Sequence, residues 1–181
     1  AKEKIDQKAL NRNLARYRGL SKRAIDSGAE LLLWPESVFL TWTPQQKFNL
    51  EGTRFDPFPA LRTPLLFGGL SVRLKGEKDT SYYNTAFGRD SFGNLIGFYH
   101  KKVLMPFGEY MPFAKWFPSL KKLSPKTGDF SVGDLNEPIE FEIDNKKIPI
   151  GVLICYEDLI PSLAHESVSS GAKILVNLTN D

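Results

Sequence analysis

The spacing of apolar residues divides the first third of the chain into a helix and two strands. Apolar residues recur every three or four positions over Asp6–Gly28, with basic residues between them, which predicts an amphipathic helix that stops at Gly28. Leu31–Trp34 and Leu65–Arg73 are continuous apolar runs of the kind that buried strands have. Residues 43–64 contain several prolines and are predicted to form a long loop or a broken helix.

The rest of the chain alternates β-rich runs with turn residues and one further helix. The turn-rich pentapeptide Asp90–Asn94 separates two of these runs, and Asp144-Asn145 separates two others, which predicts two hairpins. The predicted strands are Tyr82–Arg89, Leu95–Tyr99, Ile139–Ile143, Ile148–Ile154 and Lys173–Leu178, and the predicted helix is Pro161–Ser170. Residues 100–130 are rich in Phe, Pro, Lys and Gly, and irregular stretches of this length are usually functional.

This alternation of strands, helices and hairpins predicts an α/β fold with a mixed sheet, built as a single domain over residues 1–181. Composition agrees, because 41% apolar and 25% charged residues are ordinary for a globular protein. A net charge of +3 is too mild to indicate nucleic acid as a partner. The longest apolar run, Ile148–Tyr156, is far shorter than the roughly 18 to 20 residues that cross a bilayer.

The lone cysteine, Cys155, is the sharpest chemical feature. A single thiol excludes a disulfide within these residues and a zinc site of several thiolates. Cys155 follows a buried strand and precedes a helix, and backbone N–H groups near a helix N-terminus favour a thiolate and an oxyanion. The alternative is that Cys155 is a small buried hydrophobic residue, as free cysteines often are.

Two kinds of base could activate this thiol. A carboxylate is available in Glu36, which directly follows the apolar Leu33-Trp34-Pro35, and a Cys–His pair would have to use His100 or His165. Lys101 ends another predicted strand. Active sites of open α/β sheets gather where strands end, so we expect these strand-end residues to lie together. Glu36, Lys101 and Cys155 can then supply a base, a cationic oxyanion stabiliser and a nucleophile for acyl transfer.

Three motifs resemble the nitrilase superfamily of carbon–nitrogen hydrolases. They are Trp-Pro-Glu-Ser at 34–37, Tyr-His-Lys-Lys-Val-Leu-Met-Pro-Phe-Gly-Glu-Tyr-Met-Pro-Phe at 99–113, and Leu-Ile-Cys-Tyr-Glu at 153–157. The Pro-Phe-Gly-Glu-Tyr string, the Cys-Tyr-Glu triplet and the closing Leu-Thr-Asn-Asp resemble, within it, the extracytoplasmic domain of the apolipoprotein N-acyltransferase family. The resemblance implies an α-β-β-α sandwich with mixed sheets, here a fragment that is incomplete at both ends.

The resemblance also implies a role for each matching residue. Glu36 is then the general base, Lys101 the oxyanion stabiliser and Cys155 the nucleophile. Glu109 matches the family's second glutamate near the triad, with a backbone-bonding loop carboxylate as the alternative. The neighbours Tyr156 and Glu157 match residues that the family requires beside its cysteine, and the Tyr156 N–H is a candidate oxyanion donor.

The implied reaction moves an acyl chain from a phospholipid, through a thioester on the cysteine, to the α-amino group of a lipoprotein's N-terminal diacylglyceryl-cysteine. No cofactor or metal is implied, and the implied location is the bacterial inner membrane, with this domain facing the periplasm. The family's membrane helices, its first strand and the strands beyond residue 181 are not in this sequence. The fragment alone is therefore expected to be inactive or marginally folded.

Apolar side chains around the site fit a lipid substrate, or a loop packed on the core. Lysines accompany them in residues 102–120, as at a membrane interface. The apolar side chains of this stretch are Val103, Leu104, Met105, Phe107, Tyr110, Met111, Phe113, Trp116 and Phe117. Phe39, Leu40 and Trp42 are expected to form a hydrophobic lid after Glu36. A soluble amidase on a small substrate, a Cys–His hydrolase and a non-enzymatic binding relative remain as alternatives.

Overall fold

The computed structural model describes residues 7–46, 48–74, 80–112, 129–134 and 137–180, with Gln7 described by its backbone alone. Two α-helices, eight strands and a short 3₁₀ helix are present in these ranges. In chain order they are α1 (Gln7–Asp26), β1 (Leu32–Leu33), β2 (Phe39–Pro44), β3 (Leu65–Leu74), β4 (Thr80–Arg89), β5 (Leu95–His100), β6 (Ile139–Ile143), β7 (Lys146–Ile154), the 3₁₀ helix (Cys155–Leu159), α2 (Pro161–Ser169) and β8 (Ile174–Leu178).

The first sheet is mixed and is organised around β3 and β4. Strands β1 and β2 both pair with β3 in parallel, one after the other along the same side, while β4 pairs antiparallel with β3 and with β5. The β4–β5 hairpin turn is closed by the Asp90 carboxylate, which accepts hydrogen bonds from the backbone N–H groups of Phe92 and Asn94. The turn residues therefore set the register, as the sequence predicts.

The second sheet has the order β6–β7–β8, with an antiparallel hairpin followed by a parallel pair. Asp144 and Asn145 form the hairpin turn with φ of 50° and 58°, the left-handed conformation that Asn and Asp tolerate best. The connection from β7 to β8 passes through α2, as parallel pairing requires a crossover.

The two sheets pack face to face, with one helix on each outer side. Leu65 and Phe67 face the core beneath α1, whereas Leu66 between them faces the second sheet, following the two-residue period of a strand. On β7, Ile150 belongs to the core between the sheets, while an added Cβ on Gly151 would lie 2.0 Å from Ser167 of α2. The layers are therefore α1, first sheet, second sheet and α2, and the predicted α-β-β-α sandwich with mixed sheets is confirmed.

One predicted region is wrong. Phe39–Pro44 forms strand β2 on the edge of β3, so the predicted loop begins only after Pro44, and Phe39, Leu40 and Trp42 belong to a strand instead of a hydrophobic lid. The side chain of Phe39 is buried in the core, and Trp42 is half exposed against the ring of Tyr82. The segment becomes a strand because β3 offers it an unpaired edge and because Phe, Thr and Trp favour strands.

The other predicted elements agree with the structure to within a few residues. Helix α1 ends at Asp26, and Gly28 follows with φ 92°, so glycine stops the helix as expected. Among the residues described, no helix combines the length and apolar character that a membrane-spanning helix needs.

Candidate active site

Glu36 lies in a tight turn directly beyond β1. The turn needs room that only a glycine leaves on the neighbouring strand: a Cβ on Gly68 would lie 2.4 Å from the Pro35 carbonyl oxygen and 2.6 Å from the Glu36 Cα. Ser37 completes the turn with φ 55°. The Glu36 side chain is thus delivered to a fixed place and is 9% exposed.

Lys101 comes directly after β5 and holds two carboxylates at once. Its Nζ lies 3.3 Å from Glu36 Oε1 and 3.0 Å from Glu109 Oε2, and the residue is 2% exposed. Asn84 of β4 binds the same two carboxylates from the other side, since its Nδ2 donates to Glu36 Oε1 and to Glu109 Oε1, each at 2.7 Å. Two carboxylates therefore share one ammonium and one amide.

Glu109 is held by its own loop as well. Residues 105–110 fold into a tight turn in which the Met105 carbonyl accepts the Glu109 N–H at 2.9 Å. The Met105 N–H in turn donates to Glu109 Oε2 at 2.8 Å. The geometry of Glu109 agrees in part with both interpretations. Its carboxylate binds the backbone of its own loop, and it also contacts Lys101 and Asn84.

The ammonium of Lys101 stays charged in this setting. Burial lowers its pKa, but the hydrogen bond and charge of Glu109, the charge of Glu36 and that of Cys155 together raise the pKa above its usual value. A cationic group near a thiol can stabilise a thiolate and, later, an oxyanion.

Cys155 stands at the junction of β7 and the 3₁₀ helix, half-buried, with a φ of 58°. A left-handed conformation costs a non-glycine residue about 1–2 kcal/mol, so the strand-to-helix turn is sharp and strained. The next residue, Tyr156, places its ring centre 5.5 Å from Lys101 Nζ. Cys155 also acts electrostatically on Lys101, so the structure places the predicted cysteine near the lysine that binds the two carboxylates.

Glu157 is fully buried, and its carboxylate links two strand ends through hydrogen bonds. Its Oε1 accepts hydrogen bonds from the backbone N–H groups of Lys102 (2.6 Å) and Val103 (3.0 Å). Its Oε2 accepts from the Ile154 N–H at 2.8 Å and the Tyr99 hydroxyl at 3.0 Å. Burial and the Glu157 charge raise the pKa of Tyr99, so its hydroxyl remains a donor. These four bonds tie the loop after Lys101 to the end of the Cys155 strand.

Neither histidine is engaged with the cysteine. His100 is fully buried, and its Nδ1 lies 2.9 Å from the Thr85 hydroxyl. His165 lies on the exposed side of α2, with its Nδ1 3.5 Å from the Ser169 hydroxyl. Within the described ranges, no three side chains of the His, Cys, Asp or Glu type group closely enough to hold a metal ion.

Part of the expected apolar surface is visible beside the site. Met105, Phe107 and Tyr110 are exposed on the loop that carries Glu109, with Phe107 at 65%. Leu104 and Met111 are buried instead. Phe113, Trp116 and Phe117 lie outside the described residues.

Sequence reasoning missed Asn84 and Gly68. An Asn between Tyr83 and Thr85 in the middle of a strand is a weak local signal, yet burial of a polar side chain in a strand is worth noticing. Gly68 lies in Gly68-Gly69 inside a strand, and such a pair often marks a close approach of another backbone.

Comparison with known proteins gives the family. The family model described as "Carbon-nitrogen hydrolase" matches residues 4–181. An apolipoprotein N-acyltransferase of Geobacter metallireducens is 35% identical over 98% of this chain and 33% of its own length. Another, of Bdellovibrio bacteriovorus, is 35% identical over 84% of this chain and 29% of its own length. The chain spans about a third of the length of these curated relatives.

Solved structures agree at the level of the fold. A glutamine-dependent NAD+ synthetase of Acinetobacter baumannii matches with a TM-score of 0.57 and 17% identity, over 95% of this chain and 30% of its own. An amidase from Nesterenkonia sp. AN1 matches with a TM-score of 0.57 and 19% identity, over 94% of this chain and 59% of its own. With the family model covering nearly every residue, the chain belongs to the carbon–nitrogen hydrolase family.

Proposed function

We propose that this chain carries the acyl-transfer site of a lipoprotein N-acyltransferase, with Cys155 as nucleophile, Glu36 as general base and Lys101 as oxyanion stabiliser. The observation that carries the proposal is a single buried ammonium held between two carboxylates beside a strand-end thiol. The names of the curated relatives supply the reaction class. Donor, acceptor and membrane setting are part of the proposal, since this chain covers a third of those relatives.

In the first half-reaction, the Cys155 sulfur attacks the carbonyl carbon of a phospholipid ester while Glu36 takes the thiol proton. The carbonyl oxygen becomes an oxyanion next to the Lys101 ammonium, with the Tyr156 N–H as a second donor. When this intermediate collapses, the ester C–O bond breaks. The departing lysophospholipid oxygen takes the proton from Glu36, and the acyl group remains on Cys155 as a thioester.

In the second half-reaction, the α-amino group of a lipoprotein's N-terminal diacylglyceryl-cysteine attacks the thioester carbon. The C–S bond breaks, an amide forms, and the proton lost by the amine passes through Glu36 to the Cys155 sulfur. The site returns to its starting protonation, and the acyl-transfer potential of the thioester makes ATP unnecessary.

The second carboxylate has a clear electrostatic task in this sequence. Each time Glu36 takes a proton it loses its charge, and Lys101 then loses one of its two anionic partners. Glu109, 3.0 Å from the ammonium and held by Asn84, remains as counter-ion. The ammonium therefore keeps its place throughout both half-reactions.

The loop that carries Glu109 supports a lipid donor. Met105, Phe107 and Tyr110 expose apolar surface beside the carboxylate cluster, where an acyl chain or the edge of a bilayer can lie. We also propose the periplasmic face of the bacterial inner membrane as the setting, as the family resemblance implies.

The test uses the full-length polypeptide in phospholipid vesicles, followed by intact-mass and peptide-mass measurement. We expect an acyl adduct on the Cys155 peptide, and its discharge when a diacylglyceryl-cysteine peptide is added. Glu36→Gln is expected to slow adduct formation roughly 100- to 10,000-fold, the usual range for loss of a general base. Glu51→Gln is the matched control, because Glu51 is an exposed carboxylate paired with Arg62.

An adduct that persists in Cys155→Ala would overturn the assignment of the nucleophile. Turnover of small amides, with no adduct from phospholipid, would replace the transferase by the soluble amidase as the function of this site.

A further inference from the structure

Residues 129–134, called the strap below, cross the candidate site through backbone contacts. The Phe130 N–H donates to the Glu109 carbonyl at 3.1 Å, and the Ser131 N–H donates to the Tyr82 carbonyl at 2.7 Å. The Gly133 N–H donates to the Lys101 carbonyl at 2.9 Å. The strap therefore connects the loop of Glu109, the start of β4 and the backbone of Lys101.

The strap lies in direct contact with the peptide that precedes Lys101. A Cβ on Gly133 would lie 2.1 Å from the His100 carbonyl oxygen and 2.7 Å from its carbon. Only a glycine allows this approach, so the position of the strap and that of Lys101 are mutually dependent.

The strap is fastened to the first sheet by one arginine. Arg73 of β3 donates from its two terminal nitrogens to both oxygens of Asp134, at 3.1 and 3.4 Å. Its guanidinium also lies 5.2 Å from the ring centre of Tyr83, which stacks on His100 at 4.3 Å. Arg73 thus touches the strap at one side and, through Tyr83, the residue before Lys101 at the other.

A hydrogen-bonded chain runs parallel to this stack. His100 Nδ1 lies 2.9 Å from the Thr85 hydroxyl, which lies 2.9 Å from the Ser71 hydroxyl. Gln45 donates to Ser71 at 3.3 Å and accepts from Arg73 Nε. Burial and the charge of Arg73 lower the pKa of His100 to about 4, so its imidazole is neutral in this chain at neutral pH.

We propose that Arg73 is a positioning residue. By binding Asp134 it holds the strap against the backbone of Lys101 and Glu109, and so keeps the Lys101 ammonium and the Glu109 carboxylate in place relative to each other. Arg73 touches neither the thiol nor the two carboxylates of the site, and it acts through backbone that they share. The proposal rests on the acyl transfer proposed above for Cys155.

The experiment compares Arg73→Gln, Arg73→Lys and Asp134→Asn in the full-length polypeptide. We expect amide hydrogen exchange in the 129–134 peptide to be about 10-fold faster in Arg73→Gln and Asp134→Asn. The kcat for acyl transfer should fall about 10-fold with KM changed less than about 2-fold, because the loss concerns alignment rather than substrate contact. Arg73→Lys, which keeps the charge without the fork, should lie between these variants and the wild type.

The matched control is Arg62→Gln, which breaks the exposed Arg62–Glu51 pair far along the chain from the strap. It should leave exchange and kcat unchanged. Faster exchange with an unchanged kcat would overturn the positioning role, and unchanged exchange would overturn the fastening role of the ion pair. Turnover that survives Cys155→Ala in the same assay would instead identify the proposed function as the part that fails, since the exchange measurement does not depend on it.

Discussion

Two buried charge clusters contact strand β4, and they are built differently. Arg89 and Asp56 form a one-to-one pair with both side chains fully buried, and Arg89 also donates to the carbonyls of Leu61 and Asp90. At the other cluster, Lys101 alone faces the carboxylates of Glu36 and Glu109. The first cluster is balanced in charge, whereas the second carries one carboxylate more than its ammonium can neutralise.

With the function proposed above, the difference separates a structural cluster from the one to which we assign the reaction. In the balanced pair, each charge faces one opposite charge, and Arg89 also binds the Leu61 carbonyl, so the pair holds the loop of residues 50–62 on the sheet. In the unbalanced cluster, the proposed reaction has Glu36 take up a proton while the Lys101 ammonium keeps Glu109 as its partner. Local charge balance therefore discriminates between the two better than burial, which is high in both.

The largest expected effect comes from breaking the balanced pair. Arg89→Met leaves the Asp56 carboxylate buried without its cation and should lower the free energy of unfolding by about 3–5 kcal/mol. Glu36→Gln should change it by less than about 1 kcal/mol, because Lys101 retains Glu109 and the amide oxygen can still accept from Asn84. Denaturant titration measures both, and similar losses in the two variants would remove the distinction.

The next effect tests how rigidly the unbalanced cluster is placed. Gly68→Ala puts a methyl group within 2.4 Å of the Pro35 carbonyl oxygen, so the turn of Glu36 must shift. We expect a loss of about 1–3 kcal/mol in unfolding free energy, together with slower acylation of Cys155. Gly19→Ala is the control: its Cβ would meet nothing within 4 Å in α1, and helix propensity should stabilise the protein by about 0.5–1 kcal/mol. A tolerated Gly68→Ala with wild-type acylation would contradict this placement.

The last effect depends on pH and concerns a buried group that carries no charge. Burial and Arg73 lower the pKa of His100 to about 4. The unfolded chain therefore binds the proton first as pH falls below about 6.5, and stability declines down to the folded pKa. Between pH 7 and 5 we expect a loss on the order of 2 kcal/mol from this residue. The pH slope should flatten in His100→Gln but not in His165→Gln, and equal slopes in wild type and His100→Gln would refute the effect.

The sequence was informative where a local pattern decides the structure. Continuous apolar runs gave β3 and β7, and turn residues gave the hairpins, because these features need few distant contacts. Strand ends also indicated Glu36, Lys101 and Cys155, and in the structure both Glu36 and Cys155 interact with the Lys101 ammonium. The family resemblance drawn from the motifs is confirmed by the match over residues 4–181.

The features that were missed depend on contacts between distant segments. Strand β2 pairs with the edge of β3 beyond β1, and the strand-favouring residues of Phe39–Pro44 do not show which strand they will pair with. Asn84 gains its place from two carboxylates on separate loops. The close approach of Gly133 to His100 is likewise set by the tertiary fold, since the residues next to Gly133 would be equally compatible with an open loop.

The four-bonded carboxylate of Glu157 has a mechanical consequence. Its hydrogen bonds join the backbone of Lys102 and Val103 to the end of β7, so the residue after Lys101 and the residue before Cys155 are held to each other. Any yielding of the loop to a bulky ligand must therefore begin beyond Val103, at the exposed residues of the 105–110 turn. The exposed side chains of that turn, Met105, Phe107 and Tyr110, can then adjust to a ligand while the backbone of Lys102 and Val103 and the Glu109 carboxylate stay held by their hydrogen bonds.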